Sequence, residues 1–146
     1  MRRRHFLQAC LGITALMLLP LRALAAAWNK PAFESKTLDG ALQGLNVGTP
    51  ETSSDIDITA PAYAENSAIV QVEIISRIAD TESIFILAEK NPTPLIAHFT
   101  FSNGAEPFVV TRIKMAETAD VVALVKAGGR YYKASRKVEV SENGCN

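Results

Sequence analysis

The 146 residues are enough for one domain with a real core, and 15 basic against 15 acidic residues leave no overall field to draw nucleic acid. The balance hides a split: Arg2, Arg3, Arg4 and Arg22 lie in the first 25 residues with no acid among them, so the remainder carries 11 basic against 15 acidic residues. With 48% hydrophobic residues and only 8 Gly and 7 Pro, a disordered chain is excluded as well.

Residues 1–27 read as an export signal. A charged start precedes an apolar stretch from Leu11 to Leu21, too short to cross a bilayer core of roughly 30 Å with ease. Ala23-Leu24-Ala25 and Ala25-Ala26-Ala27 both fit a small-residue cleavage site, which puts the mature start near Ala26 or Trp28 and leaves no stable membrane anchor. Arg3-Arg4-His5-Phe6-Leu7 fits the twin-arginine signal, with Arg3, Arg4, Phe6 and Leu7 as its elements. An ordinary secretory signal that happens to carry arginines is the alternative. Either route leads to the periplasm.

The mature body, residues 28–141, reads as all-β after one short helix. Thr37 is placed to cap a helix with Leu38, Ala41, Leu42 and Leu45 on one face, and Asn46 and Gly48 stop it. Gly48 to Asp55 reads as a polar linker. From there the apolar period is two. Strands are expected at Ile56–Ile58, Ile69–Ile75, Ser83–Ala88, Leu95–Phe101, Phe108–Met115, Val121–Val125 and Arg130–Val140. Gly128-Gly129 is a hairpin signal between the last two. Glu89-Lys90-Asn91-Pro92-Thr93-Pro94 reads as a turn whose prolines fix the path, with a functional loop as the alternative. Six or seven strands at this spacing fit an immunoglobulin-like β-sandwich. Tyr131-Tyr132 puts one ring on each face, one for the core and one for the surface or an interface. The doublets Ile74-Ile75, Val109-Val110 and Val121-Val122 likewise give one face to the core and offer the other to a partner.

Of the two cysteines, Cys10 leaves with the signal, and Cys145 remains alone in an oxidising compartment, where no internal disulfide is open to it. Residues 142–146 then form a short arm, in which Gly144 supplies backbone freedom and Asn143 tolerates turn conformations. Nothing local activates the thiol. Glu142 and a terminal carboxylate after Asn146 disfavour the thiolate, and an unperturbed thiol titrates at about 8.5. Such a cysteine suits a handle presented to another protein's active site better than a nucleophile working alone. An incidental terminal cysteine is the bland reading.

Other chemistry is excluded by counting. His5 falls in the signal, which leaves His98 alone. One His and one Cys cannot build a blue-copper or an ordinary structural zinc site. His98 alternates within a strand, as a surface or partner-contact residue rather than a catalytic base. No nucleophile elbow, phosphate loop or Cys-x-x-Cys occurs, so no metal, cofactor or catalytic residue is expected.

The chain resembles the SoxY family over nearly its whole mature length. The resemblance rests on the twin-arginine signal, Phe33-Glu34-Ser35-Lys36-Thr37-Leu38, Glu89-Lys90-Asn91-Pro92 with Pro94-Leu95, and Glu106-Pro107-Phe108-Val109-Val110-Thr111-Arg112-Ile113-Lys114-Met115. Cys145 falls where the family's carrier cysteine falls. The resemblance implies an immunoglobulin-like sandwich paired with a SoxZ-like subunit, and a non-catalytic sulfur carrier in periplasmic thiosulfate oxidation. It also implies that a c-type cytochrome complex joins thiosulfate oxidatively to the thiol and that a hydrolase then releases sulfate. The family's arm reads Gly-Gly-Cys-Gly-Gly. Here it reads Asn143-Gly144-Cys145-Asn146, with one of the four glycines, and Glu142 stands where the family has an apolar residue. The altered arm leaves a second expectation standing: a divergent SoxY-like binding module that pairs with a SoxZ-like subunit and carries no sulfur.

Overall fold

The computed structural model describes residues 29–141. The export signal (Arg3, Arg4, Phe6 and Leu7 included) and the arm with Glu142, Asn143, Gly144, Cys145 and Asn146 lie outside the described residues. Two short helices, α1 (Lys30–Glu34) and α2 (Leu38–Gly44), come first. Nine strands follow among the described residues: β1 (Glu51–Thr52), β2 (Ile56–Thr59), β3 (Tyr63–Ala64), β4 (Val70–Ser76), β5 (Thr81–Ala88), β6 (Leu95–Thr100), β7 (Phe108–Ile113), β8 (Ala119–Ala127) and β9 (Arg130–Val140).

The fold is an immunoglobulin-like sandwich with a helical layer added outside it. The larger sheet has the order β1-β9-β8-β5-β6, and β3 also pairs with β9. The smaller sheet is β2-β4-β7. Alternation decides what lies between them. Val70, Val72 and Ile74 of β4 and Val109 and Ile113 of β7 point inward against Ile84 and Ile86 of β5 and Val121, Ala123 and Val125 of β8. The other face of the larger sheet is not left wet. Phe85, Leu87, Leu124 and Leu95 pack there against Ala32, Ala41 and Leu45 of the helical segment. This second cluster explains why β5 reads as a nearly continuous apolar run: both of its faces are covered.

The helices stand on local capping. Thr37 Oγ1 accepts from Gly40 N at 3.1 Å, as the sequence predicts for α2. The sequence reading contained no α1, whose five residues offer little periodicity. Its cap is Asn29, which accepts from Ala32 N at 3.2 Å and donates to Gly44 O at 2.9 Å, so one side chain starts α1 and ties it to the end of α2. Gly128 and Gly129 have φ of 55° and 75°, the left-handed pair that a two-residue hairpin between β8 and β9 requires. Lys126 Nζ sits 2.8 Å from Glu82 and, with Gly129 N, holds that carboxyl below its usual range.

Several expectations are corrected. Gly48 to Asp55 is not only linker, because β1 lies in it and pairs in parallel with Tyr132 and Lys133. Tyr131 and Tyr132 do face opposite sides, but both are packed. Tyr131 lies against the helical cluster and donates to Leu45 O at 3.3 Å, and Tyr132 borders the sandwich core. Val122 turns to the helices and is no partner surface. Of the doublets, Val109-Val110 does leave one side chain uncovered: Val110 is 52% exposed on the outward face of the smaller sheet, near Phe108 at 45%.

At Gly44 an added Cβ would stand 2.7 Å from the backbone of Ala32, so a side chain there forces α1 away from α2. Gly44→Ala is expected to lower stability by about 1–3 kcal/mol. Thermal unfolding is the check, with Gly48→Ala, which meets nothing within 4 Å, expected to stay near wild type.

Candidate functional site

The candidate site is the end of the sandwich at Ser141, where the described residues stop four positions before Cys145. β9 brings the chain there under restraint. β8 pairs with it from Arg130 to Val138, and β3 takes its other edge at Glu139 and Val140. Val138 and Val140 are buried. Glu139 N donates to Ala62 O at 2.9 Å, Val140 N to Thr118 Oγ1 at 3.0 Å and Ser141 N to Ala64 O at 3.1 Å. The backbone is thus hydrogen-bonded through Ser141. Cys145 follows four residues later, a reach of at most roughly 13 Å.

The register fixes what shares this end. Val138 pairs with Ala119, Val121 with Ala88 and Leu87 with Leu95, so the β5–β6 loop and the approach to β8 lie beside the arm root. In the smaller sheet Val70 pairs with Ile113, and Met115 N donates to Ser67 O at 2.8 Å, which brings the approach to β4 to the same end. The turn Glu89–Pro94 is clamped by Asn91, whose Nδ2 donates to Lys114 O at 2.7 Å and whose Oδ1 accepts from Ala116 N at 2.8 Å. Beside this clamp is an open cleft of about 730 Å³, lined mostly by apolar groups of Phe33, Pro92, Leu95, Ile96 and Ala116, with Lys114 on its wall. The sequence reading flagged the turn as a functional alternative but not the cleft. Thr118, which holds Val140, carried no sequence signal at all.

His98 is not brought to the arm. Its ring stacks on Phe85 with centroids 4.2 Å apart, and Nε2 lies 3.2 Å from Ser83 Oγ. It shares a register row with Phe85, Leu124 and Lys133. Lys133 stands seven residues before Val140, or roughly 23 Å along the strand. That is beyond the arm's reach, so His98 is no base for Cys145 within one chain. The residue is exposed, as a surface position on the strand, with one face of its ring laid over Phe85. Among the described residues no group of three or more His, Cys, Asp or Glu could hold a metal ion.

Partial burial lowers the His98 pKa below its ordinary 6.5. The folded state therefore takes up its proton less readily than the unfolded chain. Stability is full above pH 6.5 and falls as acid protonates the unfolded state first. Melting temperature against pH is the check: His98→Gln is expected to flatten the decline below pH 6.5 and to leave the arm cysteine's reactivity unchanged.

No curated protein matches the chain. Two solved structures overlap it only loosely. One is a chain of the structure describing T cell specificity and activation by the bacterial superantigen toxic shock syndrome toxin-1, at TM-score 0.40 and 12% identity over 59% of this chain and 99% of that one. The other is a CARDB domain from Pyrococcus furiosus, at TM-score 0.36 and 13% identity over 59% and 92%. A third likeness is of another order. The sulfur carrier protein SoxY from Chlorobium limicola f thiosulfatophilum matches at TM-score 0.63 and 36% identity, over 72% of this chain and 96% of that one. The family model described as "Sulfur oxidation protein SoxY" covers residues 44–145, from the end of α2 through the arm cysteine. By sequence and by fold the chain belongs to the SoxY family, of which the Chlorobium limicola member is a sulfur carrier protein.

Proposed function

We propose that this chain is a periplasmic sulfur carrier in thiosulfate oxidation, exported by the twin-arginine route, which holds its cargo covalently on Cys145 and performs no catalysis itself. The carrying observation is that the family match runs through Cys145 while the described chain is hydrogen-bonded up to Ser141. A tether of four residues then separates a rigid body from the thiol. The one histidine among the described residues lies out of its reach. A thiol with an anionic neighbour and no local base suits a handle whose activation comes from the enzyme it visits.

The chemistry balances without a cofactor on the carrier. A c-type cytochrome partner joins the Cys145 sulfur to the outer sulfur of thiosulfate. The new S–S bond forms at the expense of two electrons, which pass singly to two ferric haem equivalents of the cytochrome partner, and the thiol proton goes to solvent. A hydrolase partner then adds water across the bond to the sulfone end. Sulfate and two protons leave, and a persulfide anion remains on Cys145. The sulfur is cargo, and Asn143, Gly144 and Asn146 are the arm that presents it.

The altered arm favours the second reading, a binding module without cargo. Side chains at Asn143 and Asn146 add bulk beside the sulfur, and Glu142 repels a dianion well within a Debye length of about 8–10 Å. Intact mass decides between the two. Protein from the periplasm of thiosulfate-grown cells is expected to carry reductant-labile sulfur adducts that Cys145→Ser abolishes. A clean unmodified mass overturns the carrier and leaves the module.

A SoxZ-like subunit is proposed to cover the outer face of β2-β4-β7. Ile75 and Phe108 are cross-strand neighbours there, Val110 lies beside Glu73, and Arg112 lies beside Gln71. Exposed apolar side chains flanked by paired polar ones make a surface suited to a protein partner rather than to solvent. Val110→Asp is expected to weaken the heterodimer at least about tenfold, or ~1.4 kcal/mol. Titration calorimetry or co-purification is the check, with monomer stability near wild type because Val110 is exposed.

A further inference from the structure

The arm is short, and that constrains where an enzyme rests when it receives Cys145. Even fully extended, the thiol stands roughly 13 Å from Ser141. An active site recessed below its own surface brings the enzyme's lip against the end of the sandwich. An interface of standard size buries about 800 Å² per partner, a disc of roughly 16 Å radius. Centred on Ser141, that disc takes in the neighbouring loops. The cleft beside the Asn91 clamp lies at the β6 side, three strand spacings or about 14 Å from β9, and so falls inside it.

What stands within this footprint looks built for contact. Of the four exposed large hydrophobic side chains among the described residues, Tyr63 (56% exposed) is on β3 beside the end of β9, and Ile69 (57%) is at the same end on the approach to β4. The cleft offers an apolar floor from Phe33, Pro92 and Ala116, already open and held by two hydrogen bonds from Asn91. Its one charged lining residue is Lys114, and Lys90 is exposed on the neighbouring turn. Phe33, Pro92, Ala116 and Tyr63 lie outside the smaller sheet, so a subunit seated on its outward face leaves the cleft floor clear, while Ile69 and Lys114 continue the outward rows of β4 and β7 just past their paired ends.

Resting on the carrier reading above, we propose that the arm-bearing end is the docking platform for the enzymes that load and unload Cys145. The cleft between Phe33, Pro92 and Ala116 receives an apolar side chain from the enzyme's lip, with a carboxylate beside it facing Lys114. The occupant is a client enzyme and not the arm itself. The arm's polar residues do not match the apolar floor, and its reach barely spans the distance to the cleft.

The test uses the full-length mature protein with whatever subunit it binds in the periplasm. Loading of Cys145 by the purified thiosulfate-oxidising cytochrome and thiosulfate is followed by intact mass, over a range of carrier concentrations. Ala116→Trp fills the cleft and Lys114→Glu reverses its charge. Both residues are exposed, so both variants are expected to fold. Glu106→Lys, beside the concavity at the opposite end, is the control. The expected result is a KM for the carrier raised tenfold or more in both cleft variants, with kcat at saturating carrier near wild type and the control unchanged. Alkylation of Cys145 by iodoacetamide, which needs no docking, is expected at the wild-type rate throughout. Unchanged KM in the cleft variants overturns the dock, and so does a loss matched by slower alkylation, which places the effect in the arm. A wild-type protein that takes no sulfur overturns the carrier reading beneath it instead.

Discussion

The double-sided anchoring of β9 is the constraint on which the rest of this molecule depends. A strand of eleven residues leaves nine of them paired to β8, and its other edge is taken by β1 and then by β3. An edge strand would fray toward its end. Here the end is where order matters, and three successive backbone donors, at Glu139, Val140 and Ser141, each find an acceptor outside the β8 ladder. The tether therefore starts from a fixed point. A fixed origin turns a length of four residues into a defined sphere of reach, and it separates what Cys145 touches by itself from what must be brought to it.

The layers serve the same end. Register places the β5–β6 turn, the approach to β8, the approach to β4 and the end of β9 together, although they are far apart in sequence. The helical layer completes the arrangement by covering one face of the larger sheet. It does so with Phe85, Leu87 and Leu124 on the sheet side and Ala32, Ala41 and Leu45 opposite, close enough that Gly44 has no room for a side chain against Ala32. That cover leaves the smaller sheet's outer face as the uncovered one, and the exposed Phe108 and Val110 are on it. The two contacts proposed above then fall on different surfaces: a broad sheet face for the subunit, and a loop-lined end for the enzyme.

How much of this was legible in the sequence follows from the range of the forces involved. The β8–β9 hairpin was readable because Gly128-Gly129 and the strict alternation around it are local signals. The helix capped by Thr37 was readable for the same reason. β1 and β3 were not, since a two-residue strand has no period, and both exist only because β9 presents an edge to them. The doublets were ambiguous in sequence because Val122 and Val110 are the same residue type in the same pattern. What separates them is whether a helix lies above, which no local window contains. Cys145 stood out by elimination. The cleft could not, since Phe33, Pro92, Ile96 and Ala116 come from segments that only the fold assembles.

The arm's composition bears on how such a carrier divides its labour. Glycine beside a loaded sulfur would let the backbone fit a narrow passage, and this chain has given up much of that freedom, with asparagine on either side of Gly144-Cys145. A stiffer, bulkier arm explores fewer conformations, so it loses less entropy when an enzyme immobilises it. It also fits fewer channels. Contacts from the body can then supply what the arm does not, since an enzyme already held against the carrier meets the thiol as an intramolecular partner. Residues 28–146, with 11 basic against 15 acidic side chains, draw basic sites, and Lys114 at the cleft disfavours a lip that is basic there. Under the docking proposal, selection among clients rests less on the few residues next to Cys145 in sequence than on the surface around Ser141, at a distance on the order of the arm's own length.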